Sequence, residues 1–198
     1  GTMPGALQVL WRSAPGGYHM EYGYSCMGYE LAGSMGIAMA APDKEVICFV
    51  GDGSYMMANS ELVTACMLNV PFTVVLTDNR GYGCINRLQQ ACGGVEFNNM
   101  YKDSRGETPP DIDFVAHARA MGAEAVKVDG IKGLEAELAR KPARRGPRIL
   151  VIDSEAVTGA GAGGGWWDVA VPEVGESEAL RAARKSYEES AALQRAYD

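Results

Sequence analysis

The chain has 198 residues, of which 47% are hydrophobic and 22% charged, and its formal net charge is −7. A chain of this length buries one substantial hydrophobic core. Its negative charge is spread along the sequence, which argues against nucleic acid or a membrane surface as the main partner. Five cysteines without a CxxC pair favour a reducing cytoplasm over a disulfide framework or a zinc site. No stretch reaches the roughly 18 apolar residues of a membrane helix.

Strand and helix patterns alternate along the chain. A weak strand is predicted near residues 18–23, and four stronger ones, short and almost continuously apolar, at 45–50, 71–77, 124–128 and 148–153. Helices are predicted at 25–41, 54–69, 84–92, 113–121, 131–141 and 176–197. This alternation predicts an α/β fold, a three-layer α/β/α sandwich with a mostly parallel sheet.

The segments outside this pattern have simple interpretations. The Arg-rich stretch 140–148 is predicted to be a solvated helix end and loop, and the Gly-rich tract 158–165 a flexible loop. The Trp-Trp-Asp sequence at 166–168 either closes over a site or anchors itself by burial. We divide the chain into a main domain, 1–170, and a helical extension, 171–198.

Two oxygen-bearing side chains follow neighbouring strands of the predicted sheet. Asp52 follows the strand predicted at 45–50, and Asn79 follows the strand predicted at 71–77. The interval between Asp52 and Asn79 has the length of one helix and one strand. A right-handed crossover puts both strand ends on the same edge of the sheet, where ligands bind. Gly51 and Gly53 allow a sharp turn that exposes amide groups at the start of the next helix. The sequence therefore predicts an anion site beside Asp52 and Asn79.

The charge pattern indicates that a cation mediates this binding. No Lys or Arg lies between Lys44 and Arg80, so Asp52 alone would repel a phosphate. A hard ion such as Mg²⁺ binds carboxylate, amide and main-chain oxygens together with phosphates. The candidate ligands are Asp52, the Asn79 side chain and the carbonyl of Gly81. Each Gly-rich turn taken singly is a common turn, and it is their joint spacing that is distinctive.

GDG followed by Asn at this interval resembles the diphosphate-binding signature of thiamine-diphosphate enzymes. The resemblance covers nearly the whole chain and is to the C-terminal, cofactor-diphosphate domain. More narrowly, GTMPGALQVLWR, GYHMEYGYSCMGYELAGSMG and WWDVAVPEV are similar to the branch of the family that cleaves a cyclic 1,2-dione in inositol catabolism. WWDV and EYGYSCMGYE are the more discriminating motifs.

The resemblance implies thiamine diphosphate and Mg²⁺ as cofactors, with Asp52, Asn79 and the Gly81 carbonyl as metal ligands. It implies that the amides of Gly53 and Ser54 hold the diphosphate. The other implied cofactor-binding residues are Gly5, Gly23, Ser25, Met27, Gly51, Tyr82 and Ile85.

Within the implied propping segment, 23–28, Met27 would wedge between the cofactor rings, and Ser25 would offer its carbonyl to the aminopyrimidine. Core packing is the alternative for Met27 and also for Tyr82 and Ile85. His19 either reaches the substrate or is an ordinary surface histidine, and His117, inside a predicted helix, is expected to be structural.

The function implied by the resemblance is hydrolytic cleavage of a trihydroxylated cyclic 1,2-dione to a deoxy-glucuronic acid. The alternatives are a carboligase related to acetohydroxyacid synthase, a 2-oxoacid decarboxylase, and a non-catalytic partner domain. In this family a glutamate of the pyrimidine-binding domain activates the cofactor, and no segment matches that domain. The chain is therefore expected to be inactive alone, either a domain of a longer enzyme or one subunit of a split one, and to act within a homo-oligomer.

Overall fold

The computed structural model describes residues 2–21, 23–142, 146–156 and 169–194. Its strands are β1 Ile47–Gly51, β2 Thr73–Asp78, β3 Glu124–Lys127 and β4 Arg148–Asp153. The α-helices of these ranges are α1 Thr2–Leu10, α2 Tyr29–Ala40, α3 Asp52–Ala58, α4 Glu61–Met67, α5 Gly83–Ala91, α6 Phe114–Ala120, α7 Gly130–Ala139 and α8 Glu178–Ala191. None of these helices has both the length and the apolarity to cross a bilayer.

The four strands form one sheet in the order β1-β2-β4-β3, and every pair is parallel. Gly51 at the end of β1 lies opposite Thr77 of β2, and Thr77 lies opposite Ile152 of β4. The carboxyl ends of the three strands therefore share one edge, and the predicted parallel sheet is confirmed.

Alternate residues of the strands belong to two different apolar cores. Val74 and Leu76 of β2 belong to a core that includes residues of α2, α3, α4 and α6. Val75, between them, belongs to a smaller core against Leu134 and Leu138 of α7. Because successive strand residues point to opposite faces, helices cover the sheet on both sides. This arrangement is the predicted α/β/α sandwich.

Three predicted helices differ clearly in extent from the observed ones. The helix predicted at 176–197 is α8, which ends at Ala191, before the non-helical residues 192–194. The helix predicted at 54–69 is two helices, α3 and α4, and between them the amides of Leu62 and Val63 donate to carbonyls three residues earlier, a tighter turn than an α-helix makes. The helix predicted from residue 25 begins only at Tyr29. Ser25 has φ 51° and Gly28 has φ 91°, values that a right-handed helix excludes.

The weak strand predicted near residues 18–23 is not observed among residues 18–21 and 23. The Glu21 carboxylate instead accepts the amides of Tyr24 and Cys26, at 3.0 and 2.9 Å, which closes a turn. Helix α1, which was not predicted, packs near β1, where the Trp11 and Phe49 rings lie 6.1 Å apart between centroids.

The solvated interpretation of residues 140–148 is wrong for Arg148, which is 1% exposed. Its guanidinium donates to the carbonyls of Glu137 and Arg140, at 2.9 and 2.8 Å, and to Thr73 Oγ1 at 3.2 Å. These carbonyls lie at the C-terminal end of α7, where orphan acceptors attract a cation. Arg148 thus ties α7 to the sheet.

Candidate functional site

Asp52 and Asn79 meet at the carboxyl edge of the sheet, as the sequence predicts. Asp52 is the first residue of α3 and Asn79 follows β2, and both are buried. One Asp52 oxygen, Oδ2, accepts the amide of Gly81 at 2.7 Å, and Oδ1 lies 3.5 Å from the amide nitrogen of Asn79. The two strand ends therefore hold a carboxylate and a carboxamide in direct contact.

Asp52, the Asn79 carboxamide and the Gly81 carbonyl converge at this point. One terminal atom of the Asn79 carboxamide lies 3.1 Å from Asp52 Oδ1 and 2.8 Å from the Gly81 carbonyl oxygen, so an amide nitrogen in this place donates to both oxygens. With a cation bound among them, the carboxamide would turn its oxygen to this place instead. The donor set of carboxylate, amide and main-chain carbonyl fits Mg²⁺.

Within the described ranges, no three His, Cys, Asp or Glu side chains converge on a common point that would hold a metal.

An unusual backbone conformation presents the Gly81 carbonyl. Gly81 has φ 145°, and a Cβ there would lie 2.6 Å from the Asn99 carbonyl oxygen and 2.8 Å from Met100 Cα. The loop is pinned because Tyr82 donates its amide to Asn99 at 2.8 Å and Tyr101 donates to Arg80 at 2.9 Å. Only glycine fits this position without displacing the neighbouring chain.

A second buried carboxylate, Asp78, lies beside the site and was not singled out from the sequence. Arg80 contacts Asp78 Oδ2 through its guanidinium at 2.7 Å and Asp78 Oδ1 through its amide at 3.0 Å. The guanidinium also reaches Asp111 at 3.0 Å. Arg80 has φ 63°, a conformation that is rare outside glycine and asparagine. Asp78 is thus paired, whereas Asp52 is bonded only to neutral groups among those described.

The electrostatics of Asp52 follow from this difference. Burial, and secondarily the charge of Asp78, raise the pKa of Asp52 from 3.8 to about 6, although the Gly81 amide acts in the opposite direction. The ionised carboxylate is therefore costly without a cation. A bound divalent ion would supply the missing countercharge.

The start of α3 brings together Gly53, Ser54 and Tyr82. A Cβ on Gly53 would lie 2.6 Å from Tyr82 Cδ1, so the ring covers this glycine closely. β1 passes directly into α3 at this point, as predicted, but Gly51 has φ −81° and ψ 157°, so the turn does not depend on glycine at this position. Ile85, in the first turn of α5, is 44% exposed and accessible to a ligand.

The predicted propping segment is a turn held against α3. Gly23 and Ser25 are exposed and Met27 is half-buried. A Cβ on Gly28 would lie 2.9 Å from the Ala58 Cβ, so the turn and α3 are in close contact. Ser25 and Met27 help to line a cavity of about 590 Å³.

His19 also lines this cavity, and its Nε2 lies 2.7 Å from the hydroxyl oxygen of Tyr29. His117 Nδ1 lies 3.0 Å from the hydroxyl oxygen of the buried Tyr55, which agrees with its predicted structural role. Gly5 lies inside α1, and its role at the diphosphate stays a prediction. The Trp-Trp-Asp sequence at 166–168 and the Gly-rich tract lie outside the described residues.

Comparison with known proteins agrees with this geometry. Residues 1–152 match the family model described as thiamine pyrophosphate enzyme, C-terminal TPP binding domain. The chain belongs to the thiamine pyrophosphate enzymes. It corresponds to their C-terminal domain, which binds thiamine diphosphate, the same compound under its alternative name.

Two relatives within this family carry the same activity in their names. The chain is 42% identical over 195 residues to 3D-(3,5/4)-trihydroxycyclohexane-1,2-dione hydrolase 2 of Bacillus cereus, which covers 94% of the chain and 30% of the relative. It is 40% identical over 192 residues to 3D-(3,5/4)-trihydroxycyclohexane-1,2-dione hydrolase of Halalkalibacterium halodurans, covering 95% and 29%. The chain thus spans about a third of the length of these relatives.

A solved structure shares the fold of this thiamine pyrophosphate enzyme domain. The thiamine diphosphate-dependent 4-hydroxybenzoylformate decarboxylase of Rhodococcus jostii matches with a TM-score of 0.52 and 22% identity, over 65% of this chain and 23% of that one. At this identity the match supports the α/β architecture alone.

Two side chains beside the candidate site, Asp78 and Glu30, were assigned no role from the sequence. Asp78 directly precedes Asn79, and a carboxylate beside a candidate ligand is a signal that was available. Glu30 accepts the hydroxyl of Ser54 at 2.8 Å, a contact across 24 residues. No local pattern in the sequence predicts such a contact.

Proposed function

We propose that this protein supplies the Mg²⁺-diphosphate half of the active site of an enzyme that hydrolyses trihydroxycyclohexane-1,2-dione, with cleavage of a C–C bond, to a deoxy-glucuronic acid in inositol catabolism. Two relatives named for hydrolysis of this dione, at 42% and 40% identity over nearly the whole chain, support the substrate class. The observation that carries the cofactor half is the convergence of the Asp52 carboxylate, the Asn79 carboxamide and the Gly81 carbonyl at the carboxyl edge of the sheet.

In this proposal Mg²⁺ is held by Asp52 Oδ1, the Asn79 carboxamide oxygen and the Gly81 carbonyl. Mg²⁺ accepts about six oxygen ligands, so diphosphate oxygens and water complete its shell. The amides of Gly53 and Ser54 at the start of α3, beside Gly51, bind the diphosphate itself. No lysine or arginine is needed, because the metal neutralises the charge.

Thiamine diphosphate, when bound, would supply a nucleophilic carbon for addition to a substrate carbonyl. The protein positions it: Met27 supports the rings, Ser25 offers its carbonyl to the aminopyrimidine, and Tyr82 and Ile85 line the pocket. His19, on the wall of the cavity, contacts the substrate. Gly5 and Gly23 border the cofactor.

The activating glutamate belongs to a pyrimidine-binding domain, of the same polypeptide or of another. The complete site accordingly forms between domains within a homo-oligomer in the cytoplasm. Residues 1–170 form the diphosphate-binding unit in this proposal, and residues 171–198, which include α8, form a helical extension.

Calorimetry with thiamine diphosphate, with and without Mg²⁺ and in the presence of the pyrimidine-binding domain, tests the cofactor half. We expect Mg²⁺-dependent binding that Asp52→Ala abolishes. The matched control is Asp43→Ala, an exposed carboxylate that precedes β1, which should leave the affinity unchanged. Unchanged affinity in Asp52→Ala, or no heat from the wild-type protein, refutes the assignment.

Product analysis of the assembled enzyme tests the substrate. The cyclic dione should be opened hydrolytically, while pyruvate should yield no product. Acetolactate from pyruvate would identify a carboligase instead, and acetaldehyde a decarboxylase.

A further inference from the structure

Glu30, in the first turn of α2, forms a hydrogen-bond network that has no role in the function proposed above. The Ser54 hydroxyl lies 2.9 Å from Glu30 Oε1 and 2.8 Å from Oε2, and it donates to this carboxylate. The amide of Gly28 donates both to Glu30 Oε2, at 3.1 Å, and to Ser54 Oγ, at 2.9 Å. Each of the three groups thus contacts the other two.

The network joins two segments that are distant in sequence. Ser54 is the third residue of α3, the helix that begins with Asp52. Gly28 ends the turn that contains Ser25 and Met27, and its φ of 91° together with its close approach to Ala58 leaves no room for a side chain. A change in the network would therefore shift the Met27 turn relative to the start of α3.

A carboxylate at this position has a specific consequence for Ser54. Ionised Glu30 only accepts hydrogen bonds, so the Ser54 hydroxyl must turn its proton toward Glu30 and its lone pair toward the Gly28 amide. Among the described residues no cation pairs with Glu30. Its carboxylate oxygens accept hydrogen bonds from the Ser54 hydroxyl and the Gly28 amide.

We propose that Glu30 is a positioning residue for the cofactor, acting through Ser54 and Gly28. It fixes the distance between the turn that supports the cofactor rings and the amides that hold the diphosphate. This inference rests on the proposed cofactor site. It predicts that loss of Glu30 disturbs the placement of the rings more than the affinity for the diphosphate, because Asp52, Asn79 and Gly81 remain in place.

The test uses the enzyme assembled with its pyrimidine-binding domain and compares Glu30→Ala, Glu30→Gln and Glu30→Asp. Two properties are measured: the calorimetric Kd for thiamine diphosphate with Mg²⁺, and the rate at which the C2 proton of the bound cofactor exchanges with deuterium, followed by NMR. That exchange rate depends on ring placement and does not require substrate turnover.

We expect Glu30→Ala to slow C2 exchange by about tenfold or more, since small misplacements of a reacting group cost that much. Its Kd should stay within about threefold of the wild-type value, because the metal ligands are unchanged. Glu30→Gln should behave nearly as the wild type, since its carboxamide still accepts a hydrogen bond from the Gly28 amide or Ser54 hydroxyl. Glu30→Asp keeps the charge but shortens the reach, so it should slow exchange as the alanine variant does.

A matched control is Glu178→Ala, which removes an exposed glutamate from the first turn of α8 and should change neither property. If the C2 proton exchanges at the wild-type rate in Glu30→Ala or Glu30→Asp, the positioning role is overturned. It is also overturned if C2 exchange in Glu30→Gln is as slow as in Glu30→Ala. If the alanine variant does not fold, the Gln and Asp variants decide. If the wild-type enzyme does not bind thiamine diphosphate, the proposed function itself is refuted. If the cofactor binds normally and C2 exchange is unchanged in the variants, only the role of Glu30 is refuted.

Discussion

Two buried aspartates at the sheet edge should respond in opposite ways to removal of their charge. Asp78 is paired with the Arg80 guanidinium at 2.7 Å, whereas the described contacts of Asp52 are to neutral groups, namely backbone amides and the side chains of Asn79 and Tyr101. Asn is nearly isosteric with Asp and keeps one acceptor for the Gly81 amide. Asp52→Asn should therefore stabilise the metal-free protein, and Asp78→Asn should destabilise it.

The size of the Asp52 effect follows from its titration. Burial raises the pKa of Asp52 from 3.8 to about 6. Two pKa units correspond to about 3 kcal/mol, so ionised Asp52 lowers the free energy of unfolding by up to that amount. Because the folded-state pKa lies above the unfolded one, the stabilising contribution of protonated Asp52 is fully present below pH 3.8. The free energy of unfolding then falls as the pH rises through 6 and Asp52 ionises in the folded protein. The gain from Asp52→Asn, reduced by its weaker hydrogen bond to Gly81, should be about 1–3 kcal/mol at pH 8.

Urea denaturation in the presence of a chelator, at pH 8 and at pH 5, measures these differences. We expect the stabilisation by Asp52→Asn to be smaller at pH 5 than at pH 8, since Asp52 is partly protonated there. Asp78→Asn should lower the free energy of unfolding by about 1–3 kcal/mol, because Arg80 loses its buried partner. An Asp52→Asn variant no more stable than the wild type at pH 8 would refute the reasoning.

Three further substitutions test the packing around the site, each by urea denaturation of the full chain. Gly81→Ala should lose about 2–4 kcal/mol, because its Cβ would lie 2.6 Å from a carbonyl oxygen at a φ of 145°; a loss below 1 kcal/mol would show that the loop yields readily. Tyr55→Phe should lose about 1 kcal/mol with the hydrogen bond to His117, and an unchanged midpoint would contradict that contact. Arg148→Met should lose about 2–4 kcal/mol, since two α7 carbonyls lose their donor; equal stability would mean that water replaces the guanidinium.

The sheet edge was predictable because its determinants are local and topological. Short apolar runs indicated β1 and β2, the helical interval between them indicated a crossover, and the handedness of crossovers put Asp52 and Asn79 on one edge. The unusual backbone expected at Gly81 is also observed, since its φ of 145° requires glycine, and its role as a ligand stays a prediction.

The contacts that complete the site were not predictable, because they depend on tertiary packing. Arg80 adopts a left-handed backbone that its residue type disfavours, and two hydrogen bonds and an ion pair to Asp78 and Asp111 offset the cost. The bond from Ser54 to Glu30 depends on how α2 lies against α3. Arg148 looked solvated in a basic stretch, and its burial follows from the end of α7 lying over β4.

The central claim is that Asp52, Asn79 and Gly81 bind one divalent cation that holds the cofactor diphosphate. Anomalous diffraction from crystals of the assembled protein with thiamine diphosphate and Mn²⁺, which accepts the same oxygen ligands, tests it most directly. We predict one peak about 2.1 Å from Asp52 Oδ1, the Asn79 carboxamide oxygen and the Gly81 carbonyl oxygen, in contact with the diphosphate. A diphosphate bound with no anomalous peak at these three oxygens would contradict the claim.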